Sequence, residues 1–198
     1  MIWRTLMGVL AFGATLPVLA ASAGQGAPNF TLVDTQGKTI QLSDFKGKYI
    51  VLEWTNPECP FVRNQYNTRN MQGLQEGWGP RGVVWLSVDS SNRSSSDYMA
   101  PAKLGEWMHS RGGAQKAILT DPDSAVARLY QAKTTPHMFV INPEGTIIYA
   151  GAIDDRPSTR PEDPPAAHNY VRAALTEATG GRAVTTAGST PYGCSIKY

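Results

Sequence analysis

Cysteine is scarce in this sequence, and its scarcity limits what the thiols can do. Only Cys59 and Cys194 occur in 198 residues, which excludes a disulfide-rich scaffold. Hydrophobic residues make up 41% of the chain, enough for an ordinary packed core without covalent bridges. The two thiols are therefore available for chemistry, and their even number is compatible with one disulfide.

The sequence also lacks a large excess of either basic or acidic residues. The chain has 18 basic and 16 acidic residues, so we expect no nucleic-acid partner. The sequence shows no cluster of residues with metal-ligand spacing, no glycine-rich phosphate-binding loop and no internal repeat. We therefore expect no metal and no other cofactor.

Long apolar runs are absent after the N-terminus. Arg4 precedes an apolar run from Leu6 to Ala20, and a small-x-small cleavage site, Ala21-Ser22-Ala23, follows it. This pattern is typical of a secretory signal peptide, because the run is shorter than the roughly 20 residues that a membrane span needs. The alternative is a membrane anchor or a buried helix. We predict a signal peptide over residues 1–23 and an exported chain, periplasmic or secreted, with no membrane span after cleavage.

Short strands and helices alternate in the rest of the chain. The pattern predicts hairpins over residues 30–42 and 138–149, buried strands at 49–52, 83–88 and 117–120, one helix from 60 to 78, and helices at 101–108, 124–130 and 167–175. We expect Asp123 or Ser124 to cap the helix at 124–130. The strand-helix-strand order makes the central strands parallel, while the hairpins make the sheet mixed. We predict an α/β domain over residues 24–179, with a mixed central β-sheet, helices on both faces and an N-terminal β-hairpin, followed by an irregular tail over 180–198.

Cys59 stands where a predicted strand gives way to a predicted helix. Sites in α/β sheets form beyond the carboxyl ends of parallel strands, and a helix N-terminus favours the thiolate. Arg63, one turn further on, would add to this effect, whereas Glu58 would oppose it. Cys59 is thus a candidate nucleophile, and the alternative is an inert buried cysteine.

The segment EWTNPECPFVR, from Glu53 to Arg63, together with TTP at 134–136 before a hairpin, resembles a redoxin domain of the thioredoxin superfamily. The similarity covers about residues 27–179. It is greatest to the alkyl hydroperoxide reductase/thiol-specific antioxidant branch, especially members that end, as here, in GCSIKY. The resemblance implies a thioredoxin-like fold with Cys59 as the attacking cysteine. Val62 occupies the position of thioredoxin's second cysteine, so a Cys-x-x-Cys exchange is excluded.

The resemblance implies further roles around Cys59. Glu53 matches a buried carboxylate that takes up a proton, the alternative being an edge glutamate that faces water. Pro136 matches a cis-proline that faces the active cysteine, and this places the Thr135 backbone where partner chains pair.

Four residues in or next to these motifs carry individual expectations from the sequence. Trp54 and Pro60 are expected to bind substrate together with the cis-proline loop, and Arg63 is the candidate for activating a peroxide. His137 follows the cis-proline, and we expect it to be an ordinary strand residue.

Cys194 is the candidate second thiol. A sulfenic acid or mixed disulfide on Cys59 needs a thiol to resolve it, and Cys194 is the only other cysteine. The residues after Gly180 span up to roughly 50 Å when extended, so this segment is long enough for Cys194 to reach Cys59. The alternative is a permanent structural disulfide between the two cysteines.

Three functions stay open on this basis. The first is reduction of hydroperoxides through Cys59 with Cys194 as the resolving thiol and an exported thiol as reductant. The second is thiol-disulfide exchange with protein disulfides, and the third is a non-catalytic binding domain with a structural disulfide.

Asn56 stands where a typical peroxiredoxin has threonine or serine, and Thr55 lies one residue further back. A dimer is a further possibility.

Overall fold

The computed structural model of the chain describes residues 21–198. All but the last three residues of the predicted signal peptide lie outside this range, so the signal peptide stays a prediction. Within residues 21–198, no helix is both long and apolar enough to cross a membrane.

Strands and helices alternate along the described residues. The strands are β1 (Thr31–Asp34), β2 (Thr39–Gln41), β3 (Ile50–Trp54), β4 (Val84–Asp89), β5 (Ala117–Thr120), β6 (Thr134–Thr135), β7 (His137–Ile141), β8 (Ile147–Gly151) and β9 (Cys194–Ser195). The α-helices are α1 (Pro60–Asn67), α2 (Asn70–Trp78), α3 (Pro101–Ser110), α4 (Ala125–Tyr130), α5 (Asp163–Ala166) and α6 (Tyr170–Thr179).

Seven of the strands form one mixed sheet in the order β2-β1-β5-β4-β3-β7-β8. Strands β3, β4 and β5 are parallel neighbours, whereas β1–β2 and β7–β8 are antiparallel hairpins at the two sides. The predicted mixed sheet and its N-terminal hairpin are confirmed. Because parallel strands end at the same edge, the residues after β3 and those after β4 come together there.

Side chains alternate between the two faces of the sheet and build a core on each. On one face, α4 packs against β3 and β7, and the rings of Trp54, Tyr130 and Phe139 lie 5.3–5.4 Å apart. Aromatic pairs of this kind contribute about 0.5–1.5 kcal/mol each beyond their burial. The other face carries α1, α2, α3 and α6. Helices therefore cover both faces, as predicted.

The predicted continuous helix from 60 to 78 is wrong. Helix α1 ends at Asn67, where the Thr68 hydroxyl donates to the Asn64 carbonyl at 2.8 Å. Arg69 then has a φ of 58°, in the left-handed region, so the chain cannot continue as one α-helix. Helix α2 begins anew at Asn70.

Ser124 holds the N-cap position of helix α4, as one of the two expected candidates, but its side chain does not cap the helix, because its hydroxyl donates to the Ser90 carbonyl at 2.9 Å. The capping side chain is Asp121, whose carboxylate accepts from the Val126 and Ala127 amides at 3.2 and 2.9 Å. The same carboxylate accepts from the Ser90 hydroxyl at 2.7 Å. One buried aspartate thus joins α4 to the loop that follows β4.

The C-terminal segment is docked on the domain, although the sequence predicts an irregular tail. Gly188 bridges to Ala150 at the free edge of β8. Further on, β9 pairs antiparallel with β6, and the Ile196 amide donates to the Lys133 carbonyl at 3.1 Å. The segment from 188 to 198 therefore lies along the side of the molecule where β3 ends.

Candidate functional site

Cys59 occupies the N-cap position of α1, immediately before Pro60. The turn that leads to it is held by Asn56, whose carbonyl accepts from the Cys59 amide and whose side chain accepts from the Glu58 amide. The Cys59 side chain is buried, with 2% exposed. Its thiol donates to the Thr135 carbonyl at 3.0 Å. A strand end, a helix start and the loop before β7 thus meet at one sulfur atom.

The peptide bond between Thr135 and Pro136 is cis, as the resemblance implies. Thr135 also pairs with Cys194 across the β6–β9 ladder. Cys59 and Cys194 line the same small cavity, Cys59 is close enough to raise the pKa of the Cys194 thiol, and both cysteines are free in this structure. The two thiols that the sequence separates by most of its length therefore face each other beside Thr135.

The close packing of β9 depends on a glycine. Gly193 has a φ of 131°, which other residues rarely adopt. A Cβ at this position would overlap the carbonyl oxygen of Thr135. Gly193 therefore permits the backbone contact that brings Cys194 to Cys59.

The Cys194 thiol is harder to ionise than an ordinary thiol. Burial raises its pKa from 9.0 to about 12, and the neighbouring Cys59 adds to the effect. At neutral pH Cys194 is thus a protonated thiol and not the reactive thiolate form.

A small cavity lies beside the two thiols. It is lined by Thr55 and Asn56 from the turn after β3, by Ser90 and Ser91 after β4, and by residues 194–197 of the C-terminal segment. Its volume is about 30 Å³, which is room for about two water-sized molecules. The Thr55 hydroxyl oxygen is buried, makes no hydrogen bond of normal geometry among the described residues, and lies close enough to Glu53 to lower the pKa of that carboxyl. The cavity therefore offers a nucleophile, with the Thr55 hydroxyl beside it, to a small polar molecule.

Glu53 lies in the centre of the sheet with none of its surface exposed, so the alternative of an edge glutamate facing water is wrong. Its carboxylate accepts from Trp85 Nε1 at 2.7 Å, from the Ser87 hydroxyl at 2.9 Å and from the Tyr66 hydroxyl at 3.0 Å. Burial raises the pKa of Glu53 from 4.5 to about 7, although these hydrogen bonds act in the opposite direction. Glu53 is therefore a buried group that changes charge near neutral pH.

Of the eight predicted site residues, Cys59, Cys194 and Thr135 line the cavity, whereas Glu53, Pro136, Trp54, Pro60 and Arg63 do not. Trp54 points to the opposite face from Glu53 and is fully buried, with its indole N–H donating to Ser90 at 3.1 Å. Pro60 is exposed at the start of α1. Arg63 forms a partly exposed ion pair with Glu58 at 2.8 Å, and it also donates to the Pro57 carbonyl.

His137 is a strand residue, as expected. It is the first residue of β7, it is buried, and its Nδ1 accepts from the Lys133 amide at 3.2 Å. Burial and the nearby Lys133 charge lower the pKa of His137 from 6.5 to about 4. It is therefore neutral at physiological pH.

Sequence reasoning missed the serines of the loop after β4 and the residues that dock the C-terminal segment. Ser90 and Ser91 follow the parallel neighbour of β3, and the rule that sites form at strand ends would have found them. Gly193 carries no such signal, because its need for a positive φ appears only once β9 is placed. No group of three or more His, Cys, Asp or Glu residues in the range 21–198 is arranged to hold a metal ion.

Comparison with known proteins places this site in a family. The family model described as AhpC/TSA matches residues 23–150. This chain belongs to the AhpC/TSA family. Among curated relatives of this AhpC/TSA member, "Thiol-disulfide oxidoreductase ResA" of Bacillus subtilis (strain 168) is 33% identical over 134 residues, covering 64% of this chain and 65% of that protein. "Putative peroxiredoxin bcp" of Haemophilus influenzae is 28% identical over 143 residues, covering 64% and 83%.

The match to the ResA proteins extends over just under two thirds of their length. Solved structures cover more of this AhpC/TSA chain. An uncharacterized conserved protein from Geobacillus kaustophilus superposes with a TM-score of 0.75 at 25% identity, covering 90% of this chain and 93% of its own. The thioredoxin domain of a thiol-disulfide oxidoreductase from Bacteroides vulgatus gives a TM-score of 0.53 at 22% identity, covering 65% and 87%. The chain therefore has a thioredoxin-like fold.

Proposed function

We propose that this chain is a thiol-dependent oxidoreductase that reduces hydroperoxides, with Cys59 as the attacking thiolate and Cys194 as the resolving thiol. The observation that carries the proposal is the pair of free thiols that lie side by side at one cavity next to Thr135. A second thiol in contact with the first can close a disulfide without any large movement of the chain. The AhpC/TSA family and the relative named as a peroxiredoxin support the same chemistry.

The reaction has two steps on the protein. The Cys59 thiolate attacks the terminal oxygen of a hydroperoxide ROOH, the O–O bond breaks, and with one proton the products are a Cys59 sulfenic acid and the alcohol ROH. The Cys194 thiol then attacks the sulfenic sulfur and forms the Cys59–Cys194 disulfide, and water leaves. A dithiol reductant returns two electrons and two protons to the pair and is itself oxidised to a disulfide.

The electrostatics of the pair support this order. In the proposed first step Cys59 reacts as a thiolate, and its charge helps to keep Cys194 protonated. Oxidation of Cys59 to a neutral sulfenic acid removes that charge, so Cys194 then ionises more easily. The resolving thiol thus becomes reactive after the first step.

Two other groups have roles in this proposal. The Thr55 hydroxyl orients the hydroperoxide in the cavity. Glu53, with its pKa near 7, exchanges a proton with the reacting centre. Its carboxylate accepts from Tyr66 of α1, the helix that begins after Cys59.

Thiol-disulfide exchange with protein disulfides is the second candidate function. The observation that favours it is the identity to relatives named thiol-disulfide oxidoreductase. In that reaction Cys59 attacks a partner disulfide, and Cys194 then releases the partner's second thiol.

The rate of hydrogen peroxide consumption by the reduced protein separates these functions. We expect rapid consumption that is abolished in Cys59→Ser, whereas Cys194→Ser still forms a sulfenic acid that a dimedone probe captures. Slow consumption by the wild-type protein, together with rapid reduction of a protein disulfide, would move the assignment to disulfide exchange. If the two cysteines form a bond that resists mild reductant, and the protein reacts with neither hydrogen peroxide nor a protein disulfide, the remaining function is a non-catalytic binding domain with a structural disulfide.

The setting of this reaction is part of the proposal. A signal peptide over residues 1–23 would export the redoxin domain of residues 24–179 with its C-terminal segment 180–198, to the periplasm or outside the cell. The reductant is then an exported thiol protein. The proposal requires no cofactor and leaves a dimer open.

A further inference from the structure

The C-terminal segment occupies a backbone edge that lies directly beside Cys59. The two residues of β6 pair with Cys194 and Ser195 of β9. Beside them, the Thr135 carbonyl accepts from the Cys59 thiol. An extended peptide that presents a disulfide to Cys59 by strand addition would need this same edge. In this structure the edge is already paired.

The sulfur position opposite Cys59 is occupied as well. Cys194 lies there, at the same small cavity as Cys59 and paired with Thr135. Cys59 itself is 2% exposed, and the space beside it measures about 30 Å³. A molecule of the size of hydrogen peroxide fits this space, whereas a folded protein's disulfide does not.

Side chains on both sides of β9 anchor the segment. Before β9, the Tyr192 hydroxyl donates to the buried Asp154 at 2.6 Å, and the Tyr192 ring meets Phe61 of α1 edge-on at 5.7 Å. After β9, the Tyr198 hydroxyl donates to the Ala132 carbonyl, and the Arg128 guanidinium lies over the Tyr198 ring at 4.5 Å from its centroid. The segment is thus held on both sides of Cys194.

We propose that residues 188–198 act as an internal substitute for a partner peptide and restrict Cys59 to small hydroperoxides by excluding protein disulfides. This inference rests on the proposed function, because it takes Cys59 as the reacting thiol. It predicts that releasing the segment adds an activity: Cys59 attacks a protein disulfide, one partner thiol leaves, and Cys194 displaces the second thiol. The two electrons come from the Cys59–Cys194 dithiol, which ends as a disulfide.

Two variants release the segment in different ways. Gly193→Ala sets a methyl group against the Thr135 carbonyl, and Tyr192→Ala removes the bond to Asp154 and the contact with Phe61. Gly188→Ala is the matched control, because a Cβ there stays at an ordinary 3.4 Å from the Ala150 carbonyl. Alkylation of Cys194 by iodoacetamide reports the release, and circular dichroism reports the fold.

The assay measures reduction of insulin disulfides by the fully reduced proteins. We expect both release variants to react at least about tenfold faster than wild type, because a larger fraction of molecules has the edge open. The gain must vanish when Cys59→Ser is added, and Gly188→Ala must match wild type. Equal insulin rates in wild type and the release variants would overturn the inference, as would the failure of both variants to expose Cys194. Slow oxidation of wild-type Cys59 by hydrogen peroxide would instead overturn the proposed function, since that reaction does not depend on the open edge.

Discussion

The free thiols of Cys59 and Cys194 line the same small cavity, and burial together with the neighbouring Cys59 raises the pKa of the Cys194 thiol to about 12. Burial is the largest cause of this rise, and Cys59 adds to it. The reactivity of Cys194 therefore depends in part on which residue stands at position 59.

Replacing Cys59 should therefore make Cys194 more reactive. In Cys59→Ser the thiolate charge is gone, so the pKa of Cys194 falls, and its alkylation by iodoacetamide at pH 8 should accelerate at least about threefold. Intact mass against time measures the rate. Burial still slows the alkylation of Cys194, so the alkylation rate of the unfolded chain in urea sets the upper limit. Identical rates in the wild-type and Cys59→Ser proteins would contradict the coupling between the two thiols.

The Thr55 hydroxyl should matter for the reaction and not for folding. Thr55→Val keeps the shape of the side chain and removes a buried oxygen that makes no hydrogen bond of normal geometry among residues 21–198. The free energy of unfolding should stay within about 0.5 kcal/mol of wild type, while the rate of Cys59 oxidation by hydrogen peroxide falls by about tenfold. Thr39→Val, at an exposed position of β2, is the matched control. Loss of stability without loss of rate would assign Thr55 to packing alone.

Glu53 should make the protein less stable as the pH rises. Below pH 4.5 its carboxyl group is protonated in both the folded and the unfolded chain. Between 4.5 and about 7 the folded chain retains a proton that the unfolded chain has released. The free energy of unfolding therefore falls through this window, by roughly 3 kcal/mol in total. Glu53→Gln carries no such titration.

The measurement compares wild type and Glu53→Gln by urea unfolding at pH 4.5 and pH 8. His137 acts in the opposite direction, because its pKa is lowered from 6.5 to about 4 and stability rises with pH through that range. Both proteins contain His137, so its effect cancels in the difference. We expect Glu53→Gln to gain stability relative to wild type at the higher pH. A constant difference would show that Glu53 does not titrate in this window.

Asp121 should be more important for stability than the residues that the sequence suggests as the cap of α4. Asp121→Ala removes the acceptor for two helix amides and for Ser90. We expect a loss of about 2 kcal/mol in the free energy of unfolding. Asp123→Ala, an exposed neighbour, should stay within about 0.5 kcal/mol of wild type. A larger loss at Asp123 would restore the cap expected from the sequence.

The sequence predicts the order of strands and helices and the place of Cys59, because apolar periodicity and the rule for strand ends are local signals. Glu53 is conspicuous for the same reason, as a carboxylate within an apolar strand. Trp54 shows that a residue next to a site residue in the sequence need not face the site, since successive strand residues point to opposite faces. Its ring packs with Tyr130 and Phe139, away from the cavity.

Tertiary contacts account for what the sequence does not predict. Strand β9 has two residues and pairs with an equally short partner, which leaves no periodicity to detect. The break at Arg69 falls in a stretch whose apolar spacing continues across it. Asp121 caps a helix that begins four residues later, and this becomes visible only when the loop after β4 is placed beside it.

The contact between Cys59 and Cys194 joins positions separated by most of the sequence, so a bond between them closes a very large loop in the unfolded chain. Loop entropy for such a length amounts to roughly 5 kcal/mol. The same free energy appears in the redox equilibrium, since folding favours the bonded pair over two separate thiols. For a two-electron couple this corresponds to a reduction potential on the order of 100 mV more negative in the folded than in the unfolded chain. In the proposed reaction every turnover alternates the protein between a more and a less heat-resistant form, so we expect the melting temperature to report its redox state.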